Sequence, residues 1–176
     1  MSDDSTVDDR GQAGDSDRGD GRLRWTKPEP GRLVGRGHMA GDLLEAWDWV
    51  VLEKRAGYLR VDAGLPPQVR NPRGQLFGGF TPTYVDMVAL FTVQLGFSAG
   101  GELPTEMPRR WLATTHMSLD YFEPITGPRF VIESELEKQR GRISKVLTRF
   151  FQDDELAVLA STSILEVKLD RALGDA

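Results

Sequence analysis

The segment FTPTYVDMVALFTVQLGF, residues 80–97, carries one charged side chain, Asp86, among residues that are otherwise apolar or uncharged. Its apolar residues surround a helical axis instead of lining one side of it, so a helix here must be buried around most of its circumference. Thr81 suits the N-cap, Pro82 the first helical position and Gly96 the stop, which predicts a central helix over 82–95. At about 1.5 Å per residue such a helix is about 21 Å long, and its ~14 residues fall short of the ~20 that a membrane span needs. The rest of the chain therefore has to supply a surface that encloses it.

That surface is written in the second half. After Pro108 the apolar period changes to two: Met117, Leu119 and Tyr121 alternate with His116, Ser118 and Asp120, and Ile132, Ser134 and Leu136 alternate with Glu133, Glu135 and Glu137. Two more runs follow, 145–151 and 156–169, with turn signals at Pro124, Gly127-Pro128, Gly141 and Asp153-Asp154. Four strands in succession with short connections predict an antiparallel meander. Strand candidates over 49–53 and 58–62 precede the helix, so the whole reads as an α+β domain with a central helix and five to six strands. In the last strand both parities are apolar at first, Leu156, Val158 and Ala160 against Ala157 and Leu159. Burial on both faces implies a second covering surface, most simply another copy of the chain.

At 176 residues one core is expected. Residues 1–22 hold seven Asp, three Arg and almost nothing apolar, and are read as a disordered acidic tail. Residues 23–40 read as an irregular arm and 41–170 as the folded domain, opening with a short helix that Asp42 caps and Glu45 completes as a capping box. The tail lacks the basic start and apolar core of a secretory signal, and the chain has no Cys, so a reducing, cytoplasmic setting is expected. Without Cys there is no thiolate nucleophile or Cys-ligated metal, and with only two His a multi-His metal site is not expected. Beyond the tail, acids and bases nearly balance, which does not suggest a nucleic-acid binder. Chemistry is left to carboxylates, hydroxyls, amides and backbone dipoles.

The segment Asn71-Pro72-Arg73-Gly74-Gln75-Leu76-Phe77-Gly78-Gly79, followed seven residues later by Asp86, resembles the signature of hotdog-fold acyl-CoA thioesterases of the phenylacetate-pathway (PaaI-like) type. Those proteins typically read Asn-x-x-Gly-x-x-His-Gly-Gly, then Asp on the central helix. The stretch from Thr114 to Pro124 looks like the family's next strand, which commonly ends in an aromatic residue and then Pro. The resemblance covers roughly residues 42–169. It implies a hotdog fold, a central helix wrapped by a curled antiparallel sheet, and a homodimer or homotetramer whose active sites lie between subunits. Asn71 and Gly78 would then face an Asp86 belonging to the partner. It implies acyl-CoA as substrate, with coenzyme A part of that substrate, and no metal or redox cofactor.

Thioester hydrolysis needs a base or nucleophile beside the carbonyl carbon and donors aimed at the oxygen where charge develops. Asp86 can supply the first. The amides of Gly78 and Gly79, just before the helix, can supply the second, since glycine permits close approach and a helix N-terminus favours negative charge. Each residue also has a plainer explanation. Asp86 can be a helix-start carboxylate, Gly78-Gly79 a tight turn, Asn71 a loop residue making its own side-chain turn, and Thr114 an ordinary strand residue. The resemblance makes Asn71 a group that positions the attacking water or the thioester, and sets Thr114 near the acid.

Phe77 stands where the family usually has His, and Phe cannot hydrogen-bond a carbonyl oxygen. That departure allows a hydrolase relying on backbone donors, a changed substrate, or a non-catalytic acyl-CoA-binding or sensor protein. A hotdog hydratase normally needs Asp-His or His-Glu near the helix, which the sequence lacks. Ser118, His116 and Asp120 share a strand face, but at about 6.7 Å per two residues they do not reach one another, and they read as an exposed polar face. Lys138, Arg140, Arg142 and Lys145 cluster about the Gly141 turn, either as a solvated hairpin tip or as partners for the coenzyme A phosphates. Arg109 and Arg110 are weaker candidates for the same task.

Overall fold

The apolar segment forms the long helix α2, Thr81–Phe97, and six antiparallel strands curl about it. The computed structural model describes residues 26–98 and 111–167. The expected acidic tail and the candidates Arg109 and Arg110 lie outside them. Among the described residues the elements run α1 (Met39–Leu43), β1 (Val50–Arg55), β2 (Tyr58–Gly64), α2, β3 (Trp111–Tyr121), β4 (Arg129–Arg140), β5 (Ile143–Gln152) and β6 (Glu155–Val167). The sheet order is β1-β2-β4-β5-β6-β3. Among the described residues no helix is long and apolar enough to cross a membrane.

The meander expected of the last four strands holds for β4-β5-β6 alone. β3 pairs with the far edge, β6, while β4 pairs with β2. The reason lies in the segment joining β3 to β4, Phe122 to Pro128. It carries Pro124 and Pro128, buries Ile125, and accepts the Leu76 amide at the Ile125 carbonyl, 2.8 Å. It is a packed crossover along the end of the sheet and lacks the geometry of a hairpin turn. The true hairpins have tight turns, as at Asp153 and Asp154, which both take positive φ.

Helix ends also differ from expectation. The cap of α1 is His38, whose Nδ1 accepts from the Gly41 amide at 2.8 Å. Asp42 lies inside the first turn and accepts from the Gly37 amide, and Glu45, in the left-handed region, stops the helix before Trp49. In α2, Thr81 is the first helical residue and is buried; Phe80 holds the N-cap position. The helix passes Gly96 and ends at Phe97, because the Ser98 amide bonds the Leu95 carbonyl and its hydroxyl bonds that of Gln94. Gly96 serves close packing instead: a Cβ there would come within 3.1 Å of Leu136.

α2 meets the sheet through a stacked aromatic core. Tyr84 lies parallel to Trp49 with ring centroids 5.2 Å apart and packs on Phe130 and Phe150. Its hydroxyl donates to the Gly64 carbonyl at 3.0 Å, and burial pushes its pKa well above the ordinary phenol range. The arm is part of this core, since Leu33 and Val34 are buried. An ion-pair chain fastens it: Arg32 bonds the Asp48 carbonyl, and Arg129 bridges Asp48 and Asp62. In β6, Ala157, Val158, Ala160, Thr162 and Ile164 are buried, while Leu159 and Leu165 on the other face are half-buried.

Among the described residues four register shifts interrupt the ladders, one on β1 at Leu52, one on β6 at Ala157, and two on β3 and β4 that bear on the site. On β3 the shift falls between Thr114 and His116, and on β4 between Leu136 and Lys138. An extra residue in one strand reverses the alternation beyond it.

Trp49→Ala is expected to lower the unfolding free energy by about 3–5 kcal/mol through the cavity it leaves. Tyr84→Phe removes one hydrogen bond and should cost about 1 kcal/mol. Urea titrations of both variants check this, and equal losses would contradict the stacked-core account.

Candidate active site

Asp86 lies one turn and a half into α2, where the sheet's cover of the helix is incomplete. Buried positions of α2 include Tyr84, Val85, Met87, Val88, Ala89 and Thr92, whereas Thr83, Asp86, Leu90, Phe91 and Gln94 are half-buried. These half-buried residues line a depression of about 180 Å³ together with His38, Ala40 and Met87. The carboxylate is thus open on one side in otherwise apolar surroundings. The Thr114 hydroxyl donates to Asp86 Oδ1, which orients the carboxylate and leaves the other oxygen for a further partner.

The β3 register shift is what brings Thr114 here. An unbroken alternation running back from Met117 would put Thr115 on the helix side and Thr114 on the outer face with His116, Ser118 and Asp120. With the bulge, Thr115 instead bonds the Ser163 carbonyl at 3.2 Å, and Thr114 turns to the helix. His116, Ser118 and Asp120 are exposed.

Gly78 and Gly79 form the turn that leads into α2. Their amides have no hydrogen-bond partner among the described residues, while the carbonyl oxygens around them are held. Phe77 O accepts from the Phe80 amide at 2.8 Å, and Gly78 O accepts from the Tyr121 hydroxyl at 3.0 Å. A Cβ at 79 would lie 2.7 Å from Phe77 Cε1, so a side chain there would push the half-exposed Phe77 ring aside. Phe77 itself is 51% exposed and meets Phe80 edge to face. Gly78 lines a second depression, of about 290 Å³, with Gln75, Leu76, Thr81, Tyr121, Phe122 and Val158 among its walls.

Within one protomer the two depressions share no lining residue. Gly78 touches Tyr121 and Asp86 touches Thr114, positions roughly 20 Å apart along β3. The structure therefore brings Thr114 to Asp86 and does not bring Gly78 or Gly79 to the same carboxylate.

Asn71 is engaged in its own loop. Its Oδ1 accepts from the amides of Arg73 and Gln75 at 2.9 and 3.1 Å, and its Nδ2 donates to Gln75 Oε1. This is the side-chain turn that a loop Asn favours. Lys138, Arg140 and Arg142 are exposed at the β4-β5 hairpin and line neither depression. The β4 register shift sets Lys138 opposite Lys145, and Arg142 Nε donates to the Glu166 carbonyl at 2.7 Å. Among the described residues no three His, Asp or Glu side chains are grouped so as to hold a metal ion. Tyr121 is a residue of this region that the sequence did not single out chemically; its place just before the Phe-Glu-Pro segment was the available signal.

Residues 73–158 match the family model described as the thioesterase superfamily. Several solved structures are similar. A thioesterase-like protein of Ralstonia eutropha JMP134, described as phenylacetic acid degradation-related, is 19% identical, with a TM-score of 0.58 over 73% of this chain and 89% of that one. A thioesterase of Haemophilus influenzae gives a TM-score of 0.60 at 9% identity, covering 74% of this chain and 83% of that one. A hypothetical thioesterase protein of Streptococcus pneumoniae TIGR4, solved with coenzyme A, gives 0.57 at 15% identity over 69% and 87%. At these identities the likeness is one of fold. No curated protein sequence matches the chain.

Asn71→Ala should remove the acceptor for two loop amides and cost about 1–2 kcal/mol of local stability. Hydrogen exchange at Arg73 and Gln75 is expected to quicken about 10-fold. Unchanged protection of both amides would contradict a loop-organising role.

Proposed function

We propose that this chain, whose residues 73–158 match the thioesterase superfamily model and whose sheet and central helix form the hotdog fold, hydrolyses acyl-CoA thioesters at a site completed by two copies. One observation carries the proposal. A carboxylate oriented by a hydroxyl, and a pair of amides at a helix start that have no partner among the described residues, are the two halves of a thioester-cleaving site, and they lie in separate depressions of one protomer. A second copy that sets its Gly78-Gly79 turn over this Asp86 unites them. β3, which carries Thr114 at one end and Tyr121 at the other, is an edge strand that no other described strand covers, which suits such an approach.

In this scheme Asp86 takes a proton from a water that attacks the carbonyl carbon. Negative charge collects on the carbonyl oxygen, and the amides of Gly78 and Gly79 bind it. The C–S bond then breaks, the sulfur leaves as the coenzyme A thiol with a proton, and the free acid remains. Thr114 holds the carboxylate so that one oxygen faces the water. No metal or redox cofactor enters these steps. The Phe77 side chain lines neither depression and offers no hydrogen bond, so the oxyanion relies on the backbone alone.

The Lys138, Arg140 and Arg142 hairpin belongs to this proposal only as a contact for coenzyme A phosphates in the assembled oligomer; its support is charge and exposure. Phe77 also favours a second reading, an acyl-CoA-binding protein without turnover.

Thiol release from a panel of acyl-CoAs decides between them. Wild type is expected to turn over at least one member, and Asp86→Asn to lower kcat by at least ~100-fold in a folded oligomer. Binding across the panel with no thiol released would reject the enzyme in favour of the sensor.

A further inference from the structure

Two peptide units flank the Gly78-Gly79 turn, and each exposes an N–H while its carbonyl is held from behind. The Phe77–Gly78 unit is pinned by the Phe80 amide on Phe77 O, a bond closed within the turn itself. The Gly78–Gly79 unit has no such local bond. Its carbonyl is held by the Tyr121 hydroxyl, which arrives from the end of β3, 43 residues away in sequence.

A peptide between two glycines is the one whose plane turns most freely, since neither flanking residue has a Cβ to restrict it. In a trans peptide the C=O and N–H point in opposite directions, so fixing one fixes the other. The bond from Tyr121 to Gly78 O therefore aims the Gly79 N–H. It also polarises the peptide, which strengthens that N–H as a donor. The Tyr121 ring reinforces the arrangement, lying 3.9 Å from where a Gly78 Cβ would stand. Tyr121 is 52% exposed, so its place is not explained by core packing.

We propose that Tyr121 is a positioning residue that locks the Gly78–Gly79 peptide and so presents the Gly79 amide to the oxyanion. The inference rests on the thioesterase reading above. It assigns Tyr121 no contact with the substrate carbonyl. The hydroxyl acts through the peptide, and its effect belongs to the transition state, where charge on the oxygen is greatest.

The test is Tyr121→Phe, which deletes the hydroxyl and keeps the ring, beside Tyr121→Leu, which deletes both. Tyr121→Phe is expected to melt like wild type and to lose about 10-fold in kcat, with KM within about twofold. Affinity for a trifluoromethyl-ketone analogue of acyl-CoA, whose hydrate mimics the oxyanion, should fall by the same factor as kcat/KM. Affinity for a thioether analogue, which forms no oxyanion, should stay at the wild-type value. A wild-type kcat in Tyr121→Phe, with loss only in Tyr121→Leu, would assign the role to the ring and overturn the inference; so would a change confined to KM. Asp86→Asn in the same assay separates the two levels of the argument. If Asp86→Asn is inactive and Tyr121→Phe turns over normally, only the Tyr121 inference fails. If wild type releases no thiol, the thioesterase reading fails and takes this inference with it.

Discussion

Enclosure of α2 is the constraint on which the rest of this structure depends. A 17-residue helix whose apolar side chains point in every direction has to be wrapped, and a curled sheet of six strands does the wrapping from β1 round to β3. The wrap leaves one strip of helix open, and the single charge of the helix, Asp86, lies on that strip. Burying an ionised carboxylate without partners costs far more than a domain of this size can spare. Placement at the gap in the sheet, with the Thr114 hydroxyl on one oxygen, removes that conflict and leaves a carboxylate oriented in an apolar setting.

The same enclosure explains the division of the proposed site. The Gly78-Gly79 turn feeds the start of α2 and packs against the end of β3, while Asp86 meets the beginning of β3. One strand thus carries the supports of both halves at its opposite ends, and its free edge faces away from the sheet. Two such strands running antiparallel would bring the end of each beside the beginning of the other, which is the geometric basis of the shared site we propose.

Much of this was legible in the sequence because it rests on local signals: the apolar helix, the strand periods after Pro108, and the Gly-Gly turn followed seven residues later by Asp86. What was not legible depends on contacts between distant segments. The approach of Thr114 to Asp86 needs a bulge that period counting does not contain, and strict alternation assigns Thr114 to the outer face. The pairing of β3 with β6 is decided by the packed Pro124–Pro128 crossover, where short connections suggested a simple meander. His38 displaces Asp42 as the cap of α1 because its ring nitrogen reaches the Gly41 amide, a choice that propensity does not favour. Asn71 satisfies its own loop, as the plainer explanation of a loop Asn had it.

The central claim is that each site takes its carboxylate from one copy and its amide donors from another. Complementation tests it most directly. Asp86→Asn lacks the base, and Gly79→Pro lacks an amide donor that makes no hydrogen bond among the described residues. Each variant should be inactive alone. Refolded together in equal amounts, half of random dimers are mixed and each mixed dimer holds one intact site, so about a quarter of wild-type thiol release should return. A mixture that stays inactive, although mixed dimers are demonstrated by mass, would contradict a site shared between subunits.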